Sequence, residues 1–155
     1  MVLPPIGRHL HYISRVAQKS FNAALGEAGG SLPMWLILLS IKHKGADTQQ
    51  ELARAVGIEG ATLTHHLDSL EAEGLVTRTR HTADRRAIRV ALTPAGEERF
   101  DALHDAASAF DKRLRVGISE DDINLTRDVL TRIGQNVAPG DFDELVVPTD
   151  EVLGS

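Results

Sequence analysis

The chain has 155 residues, 42% hydrophobic and 25% charged, with a formal net charge of −5 at pH 7 and no cysteine. Such a length suits one domain, or one domain with added arms. The lack of cysteine excludes a disulfide framework and a thiol-oxidation switch, and no apolar run is long enough for a membrane span. Arg8 interrupts the only N-terminal stretch that resembles a signal peptide, so a cytoplasmic protein is expected.

The charge is unevenly spread. Five acids (Asp141, Asp143, Glu144, Asp150 and Glu151) follow Val137 without any basic residue, and the other 17 acids balance the 17 Lys and Arg. The surplus is therefore confined to the tail. Net charge is no argument against a polyanionic partner, because the potential at a surface is set by charges within about 10 Å at physiological salt.

In chain order, the segment after Pro5 reads as a helix to Glu27, with Ile6, Leu10, Ile13, Ala17, Phe21 and Ala24 on one apolar face and Gly26, Gly29 and Gly30 ending it. Leu32-Pro33 opens a second helix. Its Met34, Trp35, Ile37, Leu38 and Ile41 are too apolar for a surface element and belong in the core, with Gly45 beyond the end.

Thr48 and Glu51 form a capping box, the threonine hydroxyl accepting from a first-turn amide while the glutamate reaches back. The short helix that follows buries Leu52, Ala53 and Val56, and Gly57 supplies a left-handed stop. A further helix covers residues 60–73, where Leu63, Leu67 and Leu70 recur at i, i+4 and i+7 and share a buried stripe. The opposite face centres on Ala61, His65, Asp68 and Ser69; Thr62 and Thr64 flank it, and His66 leans toward the core boundary. Two helices joined by a glycine-containing turn, the second presenting a small polar face, fit a helix-turn-helix whose second helix enters the DNA major groove.

After Gly74 the period changes to 2. Leu75–Arg80 and Ala87–Leu92 read as two strands of a hairpin, a wing over residues 75–92 with a polar tip at residues 81–86. Between Arg78 and Arg89 stand five arginines (Arg78, Arg80, Arg85, Arg86, Arg89) against one acid, Asp84. Guanidinium forks on a ribbon suit phosphate oxygens and a narrow minor groove. In isolation, Arg85 and Arg86 would read as a solvated turn.

Thr93-Pro94 starts the next helix, in which Phe100, Leu103, Ala107, Phe110 and Leu114 step by 3 and 4, a seam of coiled-coil type. Ser119 with Asp122 caps a last helix bearing Ile123, Leu130, Ile133 and Val137. The terminal helices carry few large groups to fill a core of their own, which predicts pairing with a second copy. The tail, residues 138–155, has two prolines and no helical period. It is either disordered or folds Phe142, Leu145, Val146 and Val147 onto the body or a partner, and its acids compete for the wing in a third reading.

The combination of QQELARAVGIEGATLTHHLDSLEAEGLVTR with ADRRAIRVALTPAG, preceded by LPMWLILLSI, resembles the MarR family of bacterial transcription regulators over residues 8 to 137. The resemblance implies a mainly α fold with a small β wing, about six helices, and a homodimer made by the N- and C-terminal helices. It divides the chain into a dimerisation helix (1–32), a winged helix-turn-helix (33–93), C-terminal dimerisation helices (94–137) and the acidic tail. It further implies a regulator, commonly a repressor, that binds a palindromic operator in double-stranded DNA. The DNA-binding set it points to is Gly60, Ala61, Thr62, Thr64, His65, His66 and Ser69 on the helix, with Arg78, Arg80, Asp84, Arg85 and Arg86 in the wing, Asp84 orienting Arg86 by a salt bridge. Two positions depart from the family. Glu59 replaces a serine or aspartate cap, and His65 replaces an arginine with a group whose charge depends on pH.

Many members of that family release DNA when a small aromatic acid binds. Arg8, Tyr12 and Arg15 near Trp35 are the residues that would receive its carboxylate, against the plainer reading of solvated arginines and a core tryptophan. No metal or cofactor is expected: His9 and His11 lie about 200° apart on a helix and cannot chelate one ion. A winged-helix module for protein contact without DNA binding is the alternative. An enzyme finds no support, since no nucleophile motif, H-E-x-x-H, phosphate loop or dinucleotide fingerprint is present.

Overall fold

The computed structural model describes residues 5–43, 47–80, 83 and 86–140 of the chain. Six helices and one two-stranded antiparallel sheet follow in the order α1 (Ile6–Glu27), α2 (Leu32–His43), α3 (Gln49–Val56), α4 (Gly60–Ala72), β1 (Val76–Arg80), β2 (Ile88–Leu92), α5 (Pro94–Leu114) and α6 (Glu120–Val137). The winged helix-turn-helix read from the sequence is therefore present. The chain forms two units, residues 1–107 and residues 108–155, with α5 running from the first into the second. Among the described residues no single helix is long and apolar enough to cross a membrane.

In the first unit the core is centred on α2, whose Trp35, Ile37, Leu38, Leu39 and Ser40 are all buried. They meet Leu25 of α1, Leu52 of α3, Leu63, Leu67 and Leu70 of α4, Val90 of β2, and Phe100 and Leu103 of α5 in a single set of buried side chains. Each such leucine contributes about 1.5–3 kcal/mol by leaving water. Met34 and Ile41, expected in the core, are only half-buried, whereas Ser40 is buried. Gly26 lies inside α1 rather than ending it; the chain turns at Gly29, with φ of 85°.

One sequence expectation is met and one changes. Trp35 is 4% exposed and stacks on Phe100 with ring centroids 5.6 Å apart and planes 18° apart, so its large ring serves the core and its place in a ligand pocket gains no support. The apolar seam of α5 is not a coiled-coil seam throughout. Phe100 stacks on Trp35, and Leu103 lies where a Cβ on Gly30 would come within 2.6 Å of it, so the first half of the seam packs within the chain. Leu114, by contrast, is 53% exposed.

Neither terminal helix has much of a core to join. In α1 only Leu25 is buried, while Ile6, Tyr12, Ile13 and Val16 stay exposed; in α6, capped as expected by the Ser119 hydroxyl accepting from the Asp122 amide, no residue is buried.

The joint between β1 and α5 is tightly packed. The Leu75 carbonyl accepts from the Thr93 amide at 3.0 Å, the Thr93 hydroxyl donates to the Gly74 carbonyl at 2.5 Å, and that same hydroxyl accepts from the Gly96 amide at 3.0 Å. Helix α5 thus crosses the start of β1 so closely that a Cβ on Gly96 would stand 2.0 Å from the Leu75 carbonyl oxygen. That contact is with backbone and cannot be relieved by a rotamer change. Gly96→Ala should lower unfolding stability by about 1–3 kcal/mol or more, the usual range for overpacking, in urea denaturation. A change below about 0.5 kcal/mol, the scatter of neutral surface substitutions, would refute the close crossing.

Candidate nucleic-acid interface

Helix α3 begins as its sequence dictates. The Thr48 hydroxyl accepts from the Glu51 amide at 3.2 Å, and the Glu51 carboxylate accepts from the Thr48 and Asp47 amides at 3.0 Å each, completing the capping box. The Thr48 amide is the main cause that holds the Glu51 pKa below its ordinary value; desolvation opposes it, and the Thr48 hydroxyl, the Asp47 amide and Arg54 act in the same direction. Gly57 ends the helix with φ of 70°, a left-handed conformation that costs any residue with a Cβ, and the chain re-enters helix at Gly60.

Burial of Leu63, Leu67 and Leu70 sets the rotation of α4. Ala61, Thr62, His65, Asp68 and Ser69 are consequently exposed together, and Gly60 opens the helix. Thr64 and His66 sit half-buried at the two margins. Thr64 is engaged: its hydroxyl donates to the Gly60 carbonyl at 2.9 Å and accepts from Gln49 Nε2 at 2.7 Å, tying α4 to α3. Gln49 Oε1 is buried without a hydrogen-bond partner among the described residues. The Glu59 side chain makes no capping bond, so it does not fold back over the first turn of α4.

The wing is held at both edges. Strand β2 pairs with β1 in the register Val76↔Leu92 to Arg80↔Ile88, and on its other side the Val90 amide donates to the Asp47 carbonyl at 2.9 Å while Arg89 bridges with Thr48. An Arg89–Asp47 ion pair at 3.6 Å strengthens that edge. Arg80 and Arg86 are exposed at the far end of the hairpin. Asp84 and Arg85, and with them the implied Asp84–Arg86 salt bridge, lie outside the described residues. Arg86 lines a groove of about 490 Å³ together with Thr48, Gln49, Arg54, Gly60 and Thr64.

Arg78, expected as a wing contact, makes an ion pair that the sequence reading did not suggest. Its guanidinium is turned back onto α4, with Nη2 at 2.5 Å from Asp68 Oδ1 and Nε at 2.6 Å from Glu71 Oε2, and its side chain is only 20% exposed. The Asp68 hydrogen bond is the leading reason its pKa lies above the ordinary arginine value; desolvation opposes this and Glu71 reinforces it. The ion pair was legible in principle. Asp68 and Glu71 are three apart on one helix edge, and the strand returns beside them. The sequence reading did not pair them.

Of the residues considered for a carboxylate ligand, Arg8, Tyr12 and Arg15 are exposed on α1. Arg15 lines an open groove of about 410 Å³ with Gln18, Lys19, Asn22, Leu32 and Pro33. Trp35 is not part of that lining. Among the described residues no cluster of three or more potential metal ligands occurs.

Comparison with known proteins agrees with this geometry. Residues 31–88 match the profile of the MarR family. The chain is 30% identical over 128 residues to the uncharacterized HTH-type transcriptional regulator YdgJ of Bacillus subtilis, covering 83% of this chain and 76% of that protein. The solved structure of the transcriptional regulator PA3341 superposes with a TM-score of 0.72 at 35% identity, covering 87% of this chain and 99% of that one. A mutant of Escherichia coli MarR in complex with operator DNA shares the fold, with a TM-score of 0.74 at 23% identity over 83% of this chain and 93% of that chain.

The capping box makes a prediction at this level. Thr48→Ala should cost about 1 kcal/mol of stability in urea denaturation, the usual worth of an N-cap. Because the folded-state pKa of Glu51 is depressed, its contribution is present above the unfolded value and is lost as pH falls through the folded one. The stability gap between wild type and Glu51→Gln should therefore narrow as pH drops from about 6 to about 3. A gap independent of pH would mean that the carboxylate charge plays no part in the cap.

Proposed function

We infer that this chain, which belongs to the MarR family, is a DNA-binding transcription regulator that grips a palindromic operator as a homodimer. The observation that carries this reading is the rotation of α4: its three leucines are buried and a row of small, hydrogen-bonding side chains faces outward beside a basic hairpin. A helix of that kind fits a major groove about 12 Å wide. The fold shared with a MarR protein crystallised on operator DNA supports the same reading.

Within it, base edges are read by Ala61, Thr62, His65 and Ser69, with Gly60 allowing close approach and Thr64 and His66 at the margins. Thr64 acts mainly by fixing α4 against α3, given its two hydrogen bonds. Arg80, Arg85 and Arg86 engage phosphates and the minor groove, with Asp84 orienting Arg86. The unburied apolar residues of α1 and α6 supply the dimer interface, so residues 1–32 and 94–137 serve pairing and residues 33–93 serve reading. A twofold dimer presents two reading helices about 34 Å apart, which calls for half-sites one DNA turn apart. Occupied DNA then excludes polymerase, and the regulator represses from the cytoplasm. For release by an aromatic acid, the groove at Arg15 and Lys19 offers two cations to a carboxylate and is a better seat than the surroundings of Trp35.

Fluorescence anisotropy with duplexes tiled from the DNA upstream of the gene tests this reading. One tile should bind tightly and with strong salt dependence, and Arg86→Ala should weaken it by about 1–3 kcal/mol with the fold intact. Equal binding to every tile and to random DNA would remove sequence specificity, and indifference to Arg86→Ala would remove the wing contact. Sedimentation equilibrium tests the pairing: the wild type should be a dimer, and Val129→Glu with Leu130→Glu should shift it toward monomer. A wild type that stays monomeric at all concentrations would contradict the dimer.

A further inference from the structure

Asp68 and Glu71 pose a problem for the reading just given. Asp68 shares the outward face of α4 with Ala61, His65 and Ser69, and its side chain is 59% exposed; that of Glu71 is 42% exposed. Two bare carboxylates at this position would stand close to the phosphates of any duplex that α4 enters, where like charge is repelled. Arg78 reaches both, through the 2.5 Å contact with Asp68 and the 2.6 Å contacts with Glu71.

We propose that Arg78 is a positioning and charge-screening residue for DNA binding: its guanidinium holds Asp68 and Glu71 in one ion-paired cluster and offsets one of their two negative charges, which eases the approach of α4 to a polyanion and fixes it against β1. The proposal rests on the regulator reading and removes Arg78 from the list of phosphate contacts. Three observations favour it. The fork geometry uses Nε for one carboxylate and Nη2 for both, as a planar guanidinium permits and an ammonium does not. Arg78 is the least exposed member of the cluster, so it is enclosed by its partners instead of projecting to solvent as Arg80 does. Its neighbour across the sheet is Val90, itself 2% exposed, so the residue sits midway along the paired strands on the side of the hairpin that meets the core.

A shield and a contact differ in what cures their loss. Operator affinity and its salt dependence should be measured for wild type, Arg78→Gln, and the triple variant Asp68→Asn, Glu71→Gln, Arg78→Gln. If Arg78 is a shield, Arg78→Gln weakens binding roughly tenfold or more by baring two carboxylates, and the triple variant, which removes them too, returns to within about threefold of wild type with the wild-type salt slope. If Arg78 is itself a phosphate contact, both variants lose about one unit of salt slope, and the proposal is overturned. Full affinity of Arg78→Gln would overturn it as well. Should Arg78→Gln fail to fold by circular dichroism, the triple variant decides alone, since neutralising all three groups leaves no unpaired charge and keeps amides that can hydrogen-bond. Failure of the wild type to bind any duplex specifically would instead overturn the regulator reading, and the shield with it; wild-type binding without rescue overturns the shield only.

Discussion

The burial of three leucines on α4 is the constraint from which the interface follows. Leu63 and Leu67 are 0% exposed and Leu70 is 3% exposed, which together represent several kcal/mol of transfer free energy at about 1.5–3 kcal/mol each. No polar contact on that helix approaches this value, since a net hydrogen bond contributes about 1 kcal/mol. Turning α4 by one residue would expose leucine and bury His65 or Ser69 without partners. The outward row is therefore selected by what the inward row must do. The Thr64 bonds to Gln49 and Gly60 only refine an orientation already fixed by packing.

A second constraint turns the reader and wing into one piece with the start of α5. Leu75 is buried, its carbonyl is held by Thr93, and Gly96 lets α5 pass with no side chain between. Arg78 adds an ion-paired strut from β1 back to α4. On its other edge β2 hydrogen-bonds to Asp47, immediately before the capping box of α3. The wing is thus a hairpin with three attachments at its root. A displacement of the first turn of α5 must move the β1 backbone as well, because at Gly96 there is no side chain whose rotamer can absorb it. That rigidity suits a device in which the spacing between recognition elements carries information.

Much of this was legible in the sequence because local rules and burial agreed. The capping box at Thr48 and Glu51, the stop at Gly57, the leucine stripe of α4 and the period-2 strands are each short-range signals, and the tertiary structure honours all of them. The sequence was insufficient where a pattern has two solutions that only long-range contacts separate. A 3–4 spacing of apolar residues in α5 is equally compatible with a partner helix and with the chain's own core; Trp35 and Gly30 decide it for Phe100 and Leu103. An arginine in a basic hairpin is equally compatible with a phosphate and with an acid on the preceding helix. The strand direction brings Arg78 to Asp68 and Glu71, ten and seven residues back, and this can be seen only once helix and strand are set side by side. Ser40 in the core gave no sequence signal, being a polar residue in an apolar helix.

The exposed apolar residues of the terminal helices bear on how proposed reading and pairing depend on each other. An isolated helix of 18 residues is marginal in water, and α6 has that length with no buried residue to steady it. Its caps, Ser119 with Asp122 and the acids of its first turn, contribute about 1–2 kcal/mol, at about 1 kcal/mol for an N-cap and less for each charge near the dipole. Leu125, Val129, Leu130 and Val137 are the remaining source, and they act only when a second surface removes them from water. On the proposed pairing, the order of α6 and the association of two chains are then one equilibrium, and both become dependent on protein concentration. On the same proposal, association also raises DNA affinity. A single α4 with its wing gathers one half-site, whereas a dimer makes the second half-site an intramolecular event at high effective concentration. On that proposal, apolar residues of α6 act on operator occupancy through the pairing of two chains.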